Sequence, residues 1–178
     1  VVVGGGGTLA GTGTIDGNVT VQSTGTVAPG NSPGIITING NYVQLAGSTL
    51  EIELAGTNPA TPLFDQLVVN GTVTLGGTLE VSLLAFSPTA GDSFVIIHND
   101  DTDAVSGQFA GLPEGALVHV GAAYLRITYA GGTDSNDVVL TAINPFYVTN
   151  TSDTGAGSLR QTLLSANASP GRDVILFN

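Results

Sequence analysis

The stretch that decides the fold is INGNYVQLAGSTLEIEL, residues 38–54. It opens on an apolar residue, an Asn and a Gly, then runs into residues that alternate apolar with polar. The same opening, with Asp or Asn in the middle, occurs as IDG from Ile15 and as VNG from Val69. Each copy leads into an alternating segment: NVTVQ from Asn18, NYVQL from Asn41 and TVTL from Thr72. The second and third copies continue into matching runs, STLEIEL (48–54) and GTLEVSL (77–83). The copies lie 23 and 31 residues apart, the range of units that stack as a solenoid with insertions absorbed in loops.

Successive side chains of a strand point to opposite faces. Leu50, Ile52 and Leu54 therefore share one face, and Thr49, Glu51 and Glu53 the other. Leu79, Val81 and Leu83 repeat the apolar face; Thr78, Glu80 and Ser82 repeat the polar one. Asn-Gly and Asp-Gly also favour type I′ hairpins. Parallel coils and an antiparallel meander both satisfy this periodicity, and it does not separate them.

A second stretch, VAPGNSPGIITING (27–40), carries two Pro-Gly pairs. A phosphate-binding loop needs free N–H donors, usually a Lys, and a helix after the glycines. Here Pro29 and Pro33 remove two N–H groups, the chain contains no Lys, and a strand pattern begins at Ile35. Pro followed by Gly suits the two central positions of a type II turn. Residues 28–31 and 32–35 thus read as two successive turns, a corner and not a ligand loop.

Composition agrees. The 178 residues are 42% hydrophobic and only 10% charged, with 26 Gly and no Cys, Met or Trp. Val, Ile, Thr and Gly in excess favour strands and turns over helices. A net charge of −11 disfavours nucleic acid, whose phosphates need Lys and Arg, and anionic membrane surfaces. No apolar run reaches the ~18 residues of a spanning helix, so no membrane insertion by this segment is expected. Without cysteine there is no disulfide, Cys-ligated zinc or thiol nucleophile. The chain opens inside VVVGGGG (1–7) and stops after VILFN (174–178), and it reads as an excerpt of a longer protein, so missing targeting signals mean nothing here.

From Asp92 the repeat dissolves. FVII (94–97) is a continuous apolar run, which predicts burial on both faces. An acidic loop NDDTD (99–103), turn-rich QFAGLPEG (108–115), alternating YLRITY (124–129) and VVLT (138–141) follow. Such a section after repeats is where a solenoid is capped to hide its open edge. Past Ile143-Asn144-Pro145, FYVTN (146–150) reads as a strand. SLRQ (158–161) has capping-box spacing and predicts one short helix near residues 158–167, with Leu159, Leu163 and Ala166 on one face and a stop over 167–171.

Several of these motifs occur together elsewhere. GTVAPGNSPG (25–34), the Asn39-Gly40 turn, STLEIEL (48–54), FDQLVVNG (64–71), LGGTLEV (75–81), SGQFAGLPEG (106–115) and GGTDSNDVVLT (131–141) resemble, in order, the passenger-associated region of bacterial autotransporters and related surface proteins. The resemblance spans about residues 11–142. It implies an all-β chain of parallel β-helix (β-solenoid) coils ending in a β-rich cap, a scaffold displayed at the cell surface or secreted. VTNTSDTGAGSLRQ (148–161) through DVILF (173–177) resembles the start of a second family of bacterial right-handed parallel β-helices, over about residues 146–178. In that family a short helix covers the first coils; Thr162 stands where Ala is more usual. The resulting division is 1–90 solenoid repeats, 91–142 a cap continuous with them, 143–147 a linker, and 148–178 the truncated start of a second β-helix with its capping helix.

Few residues look reactive. Glu51 and Glu53 lie on one strand face about 6.5–7 Å apart, and stacked coils would bring Glu80 alongside. Carboxylates at such separations serve glycoside hydrolysis, but without aromatic or basic neighbours a solvated outer face is the stronger reading. GDSF (91–94) echoes an esterase nucleophile block, yet a strand and not a helix follows its Ser93. His98 and His119 each lack a paired carboxylate spacing that would orient a base. Asp100, Asp101 and Asp103 suit calcium chemistry, and GGTDSND (131–137) resembles a calcium-binding nonapeptide, with Asp134 where Gly belongs. It occurs once, and calcium rolls need tandem copies; an ordinary acidic loop is the stronger reading. The three arginines are too scattered for a lyase site, and Arg126 is expected to point outward between Leu125 and Ile127.

The expectation is a non-enzymatic scaffold or spacer of a large bacterial secreted or cell-surface protein. No catalytic, cofactor or metal residue is assigned, and any glycan or protein ligand is reached through the wider protein. The alternative is a carbohydrate-active β-helix enzyme or glycan-binding adhesin using the Glu51, Glu53 and Glu80 face.

Overall fold

The computed structural model describes residues 1–58, 63–100, 103–169 and 173–178. Asp101 and the expected helix stop at Pro170 and Gly171 lie outside them. Two compact units are present, Val1–Ala142 and Ile143–Asn178.

In the first unit the strands come in threes. β1 (Val2–Val3), β2 (Thr8–Gly11) and β3 (Gly13–Ile15) are followed by β4 (Val19–Val21), β5 (Thr26–Pro29) and β6 (Ile35–Ile38). Next come β7 (Tyr42–Gln44), β8 (Thr49–Leu54) and β9 (Gln66–Val69). β10 (Val73–Leu75), β11 (Thr78–Leu83), β12 (Ser93–Asn99) and the short β13 (Ser106–Gly107) complete the series. Each strand pairs, in parallel, with the strand three further on. Three solenoid-like sheets result: β1-β4-β7-β10-β13, β2-β5-β8-β11 and β3-β6-β9-β12. An antiparallel meander would pair neighbours in sequence; these strands do not.

The repeated motifs are in register. Ile15 lies opposite Ile38 and Ile38 opposite Val69, while Val19, Tyr42 and Val73 align in the first sheet. The longer third coil is absorbed between β8 and β9, where Leu54 bridges to Phe64 and Ala55 N–H donates to the Leu63 carbonyl at 2.7 Å.

Because register repeats coil after coil, inward side chains form columns. Val27, Leu50 and Leu79 are buried in the second sheet; Ile36, Leu67 and Ile97 are buried in the third. Burying each such side chain contributes about 1.5–3 kcal/mol. Val81 and Leu83 are only half-buried, because β11 ends its sheet. Two buried polar side chains of the first sheet are satisfied in place: the Tyr42 hydroxyl donates to Gln44 Oε1 at 3.2 Å, and Gln44 Nε2 donates to the Thr78 carbonyl at 3.0 Å. Burial raises the Tyr42 hydroxyl pKa and keeps it protonated.

The Pro-Gly corner is half as expected. Gly30 has φ of 92°, suited to the third position of a type II turn. The second pair differs: Gly34 is not in the left-handed region, and the Ser32–Pro33 peptide is cis. Packing dictates the glycines instead. A Cβ on Gly34 would lie 2.5 Å from Gly30 Cα, and one on Gly30 would lie 2.6 Å from the Pro33 carbonyl carbon.

Beyond β12 the third sheet turns antiparallel through β14 (Leu117–Val120), β15 (Ala123–Gly131) and β16 (Asp137–Ile143). The apolar run at 94–97 is explained by a bulge and not by two-faced burial. Register shifts between Val95 and Ile97, so Phe94, Ile96 and Ile97 are buried while Val95 is partly exposed. The QFAGLPEG segment wraps around Tyr129, whose hydroxyl donates to the Leu112 carbonyl at 2.7 Å and accepts from Phe109 N–H at 3.1 Å.

In the second unit β17 (Phe146–Val148) and β18 (Ile175–Phe177) pair in parallel, with α1 (Leu159–Asn167) between them in sequence. Ser158 caps the helix, accepting from Gln161 N–H at 3.2 Å. Its buried face carries Thr162 and Ala166, whereas Leu159 and Leu163 are 43% and 44% exposed. Thr162 Oγ1 donates to the Tyr147 carbonyl at 3.2 Å, which turns that face onto β17.

Gly30→Val and Gly34→Val should each cost about 2–3 kcal/mol of stability. Melting curves followed by circular dichroism check this; unchanged melting for both would contradict the corner.

Candidate functional site

The glutamates singled out in the sequence meet on the outer face of the second sheet. β8 and β11 pair along their full lengths, placing Glu80 opposite Glu51 and Ser82 opposite Glu53. Leu50, Ile52 and Leu54 are buried beneath. Strand spacing alone sets Glu51 and Glu80 about 4.8 Å apart at the backbone, with Glu53 about 6.5–7 Å along from Glu51. A shallow depression lies over them, lined by Glu51, Ile52, Glu53, Glu80, Val81 and Ser82. Like charges directly opposite in a ladder repel, but Glu51 and Glu80 are exposed and water screens them. Hydrolysis of a glycosidic bond needs two carboxyls in contrasting surroundings. The lining offers no aromatic wall and no basic group to create that contrast.

A buried acid lies nearby and carried no signal as a site residue. Asp65, 2% exposed, accepts from Gly34 N–H at 2.7 Å and from Glu53 N–H at 2.8 Å. Its own N–H donates to the Glu53 carbonyl at 2.9 Å. Burial pushes its pKa up to about 6; the two N–H donors oppose this and the Glu53 charge adds to it. The carboxylate ties the Pro-Gly corner, β8 and the start of β9 together, so its role is structural. Local sequence around Asp65 gives no sign of this, because its two N–H donors, on Gly34 and Glu53, lie 31 and 12 residues away.

His98 corrects an expectation. Its Nδ1 lies 3.0 Å from Asp137 Oδ1, so a carboxylate does face this histidine. The antiparallel pairing of β12 with β16 brings them together, which no local spacing reveals. Asp137 Oδ1 also accepts from Asn99 N–H at 2.9 Å. Ser93 stands at the opposite end of β12, about 16 Å away at the strand rise, so no serine–histidine pair forms there. His119 stacks on Tyr124 with ring centroids 4.4 Å apart. Arg126 is half-buried between fully buried Leu125 and Ile127.

The calcium candidates are dispersed. The Asp103 carbonyl accepts from Asn99 Nδ2 at 2.6 Å, and the Asp100 carbonyl accepts from Asn136. Asp134 accepts from Thr133 Oγ1 at 3.0 Å, while Asp137 is buried beside His98. Among the described residues no three acidic or histidine side chains converge to hold a metal.

No family model matches the chain. It is 45% identical over 84 residues to a protein described as "Adhesin BmaC autotransporter" from Brucella suis biovar 1 (strain 1330). The similarity covers 45% of this chain and 2% of that relative, so the chain spans a small fraction of the relative's length.

The pKa of Asp65 is raised in the native state, which therefore holds this proton to higher pH than the unfolded chain does. Its contribution is fully present below about pH 4 and is lost as pH rises through about 6. The stability deficit of Asp65→Asn should be largest near pH 4 and shrink by about 2 kcal/mol by pH 7. Urea titrations of both proteins across that range measure it; a pH-independent deficit would contradict the buried-acid assignment.

Proposed function

We propose that this chain is a non-enzymatic scaffold or spacer segment of a large bacterial secreted or cell-surface protein, autotransporter-like and adhesin-like. In this reading residues 1–90 are parallel β-helix coils and 91–142 their β-rich cap. Residues 143–147 are a linker, and 148–178 begin a second right-handed parallel β-helix with its covering helix. The observation that carries the reading is the parallel pairing of each strand with the third strand after it. Each coil then satisfies its backbone groups against the next and buries a continuous aliphatic column, which makes an extended, protease-resistant spacer. The antiparallel strands that continue the third sheet beyond β12 support the cap. Identity to an autotransporter adhesin supports placement at the surface. No helix among the described residues is long and apolar enough to cross a membrane. Glycan or protein ligands are engaged through the wider protein, and the segment's contribution is mechanical.

The alternative, a carbohydrate-active enzyme or glycan-binding adhesin, draws on the pairing of Glu51 with Glu80. A glycan array and hydrolysis and lyase assays on acidic polysaccharides decide between them. The expected outcome is neither binding nor turnover, with Glu51→Gln and Glu80→Gln within about 0.5 kcal/mol of the wild-type stability. Turnover or glycan binding that either substitution abolishes would overturn the scaffold reading.

A further inference from the structure

The fold places a chemically labile dipeptide in its repeating turn. Asn39 Nδ2 donates to Asp16 Oδ1 at 2.8 Å, and Asn70 Nδ2 donates to Asn39 Oδ1 at 2.7 Å. This ladder has a direction, since each amide donates toward the preceding coil. Its first member only accepts, and an aspartate serves there. The two later members must supply an N–H, which Asn has and ionised Asp lacks.

The following residue is equally constrained. A Cβ on Gly40 would lie 2.7 Å from both the Gly17 carbonyl carbon and Asn18 Oδ1; one on Gly71 would lie 2.8 Å from the Gly40 carbonyl carbon and 2.6 Å from Asn41 Oδ1. Those two Asn oxygens are themselves held, accepting from Asn41 N–H at 2.9 Å and from Thr72 N–H at 3.0 Å. Stacking therefore demands Asn and then Gly, and both Asn39 and Asn70 are exposed to water.

Asn before Gly is the pair in which the main-chain nitrogen most readily attacks the side-chain amide, because glycine has no Cβ to obstruct the approach. We propose that Asn39 and Asn70 are sites of spontaneous deamidation, and that the ladder sets their order, Asn70 before Asn39. In the step, the Gly40 nitrogen bonds to Asn39 Cγ, its proton is lost, and the amide nitrogen departs as ammonia, leaving a cyclic imide. Water then adds to either imide carbonyl and opens the ring to aspartate or isoaspartate. The net change replaces NH2 by OH, with water the sole co-reactant; Gly71 and Asn70 react in the same way.

The attack requires the side chain to leave the ladder. Asn39 breaks two ladder bonds to do so, one to Asp16 and one from Asn70. Asn70 breaks the bond it donates to Asn39. One additional hydrogen bond slows Asn39 about five-fold relative to Asn70. Conversion of Asn70 removes a donor that restrains Asn39, so the first event hastens the second. Each event also sets a carboxylate against an oxygen of the preceding coil and removes a bond that aligns the two.

The 178-residue protein, incubated at mildly alkaline pH and body temperature and then mapped by peptide mass spectrometry, tests this. Asn70 should convert first and Asn39 about five-fold more slowly, both more slowly than in the urea-unfolded chain. Asn18 and Asn41, which precede Val19 and Tyr42, should stay intact. Asp16→Ala removes an exposed acceptor and should raise the Asn39 rate about five-fold; Asp16→Asn keeps the acceptor and should leave it unchanged. Equal native rates at the two sites would overturn the ladder's control, as would an Asn39 rate that Asp16→Ala does not move. Conversion of the unfolded chain alone would overturn the sites themselves.

Discussion

The closeness with which one coil lies on the next is the constraint from which the first unit follows. At the Asx-Gly turns the main chain of Gly40 approaches Gly17, and that of Gly71 approaches Gly40, more closely than any side chain allows. With the turns stacked at that distance, strands separated by a whole coil are already at pairing distance. The parallel ladders then form without a choice of register, and Ile15, Ile38 and Val69 fall into one column. Shifting one strand by a residue would turn its apolar set outward, so turn and core enforce the same alignment.

The same geometry explains what the surface can do. Stacking replicates outward residues as faithfully as inward ones, so Thr8, Thr26, Thr49 and Thr78 align, and so do Glu51 and Glu80. A pair of carboxylates arises here as a by-product of repetition. The strongly perturbed acid, Asp65, is used to hold a corner. Chemistry-bearing residues near the end of the series, His98 with Asp137 and Asn99 with Asp103, are likewise engaged in mutual contacts.

Much of this is legible in the sequence because repetition writes the same physics several times. The Asx-Gly motif marks each turn, alternation marks Leu50, Ile52 and Leu54 as buried, and Ser158 marks the start of the helix. What escapes sequence reading depends on partners distant along the chain. Alternation fits a hairpin as well as a coil, so the choice between them rests on which strands pair. The contact of His98 with Asp137 exists only once β12 and β16 are side by side. The bulge after Val95 is set by the neighbouring strand, and the glycine at position 34 is needed for space beside Gly30, not for a turn conformation. In the helix, apolar periodicity points to Leu159 and Leu163, whereas the hydroxyl of Thr162 settles the orientation through the Tyr147 carbonyl.

Because the chain has no cysteine, paired spin labels can be placed on Thr8→Cys and Thr78→Cys without background. These two exposed residues stand three strands apart in one outward column. Their electron–electron distance tests coil-on-coil stacking directly. The expected backbone separation is about 14 Å, three strand spacings; a separation twice as large would contradict the stacked register.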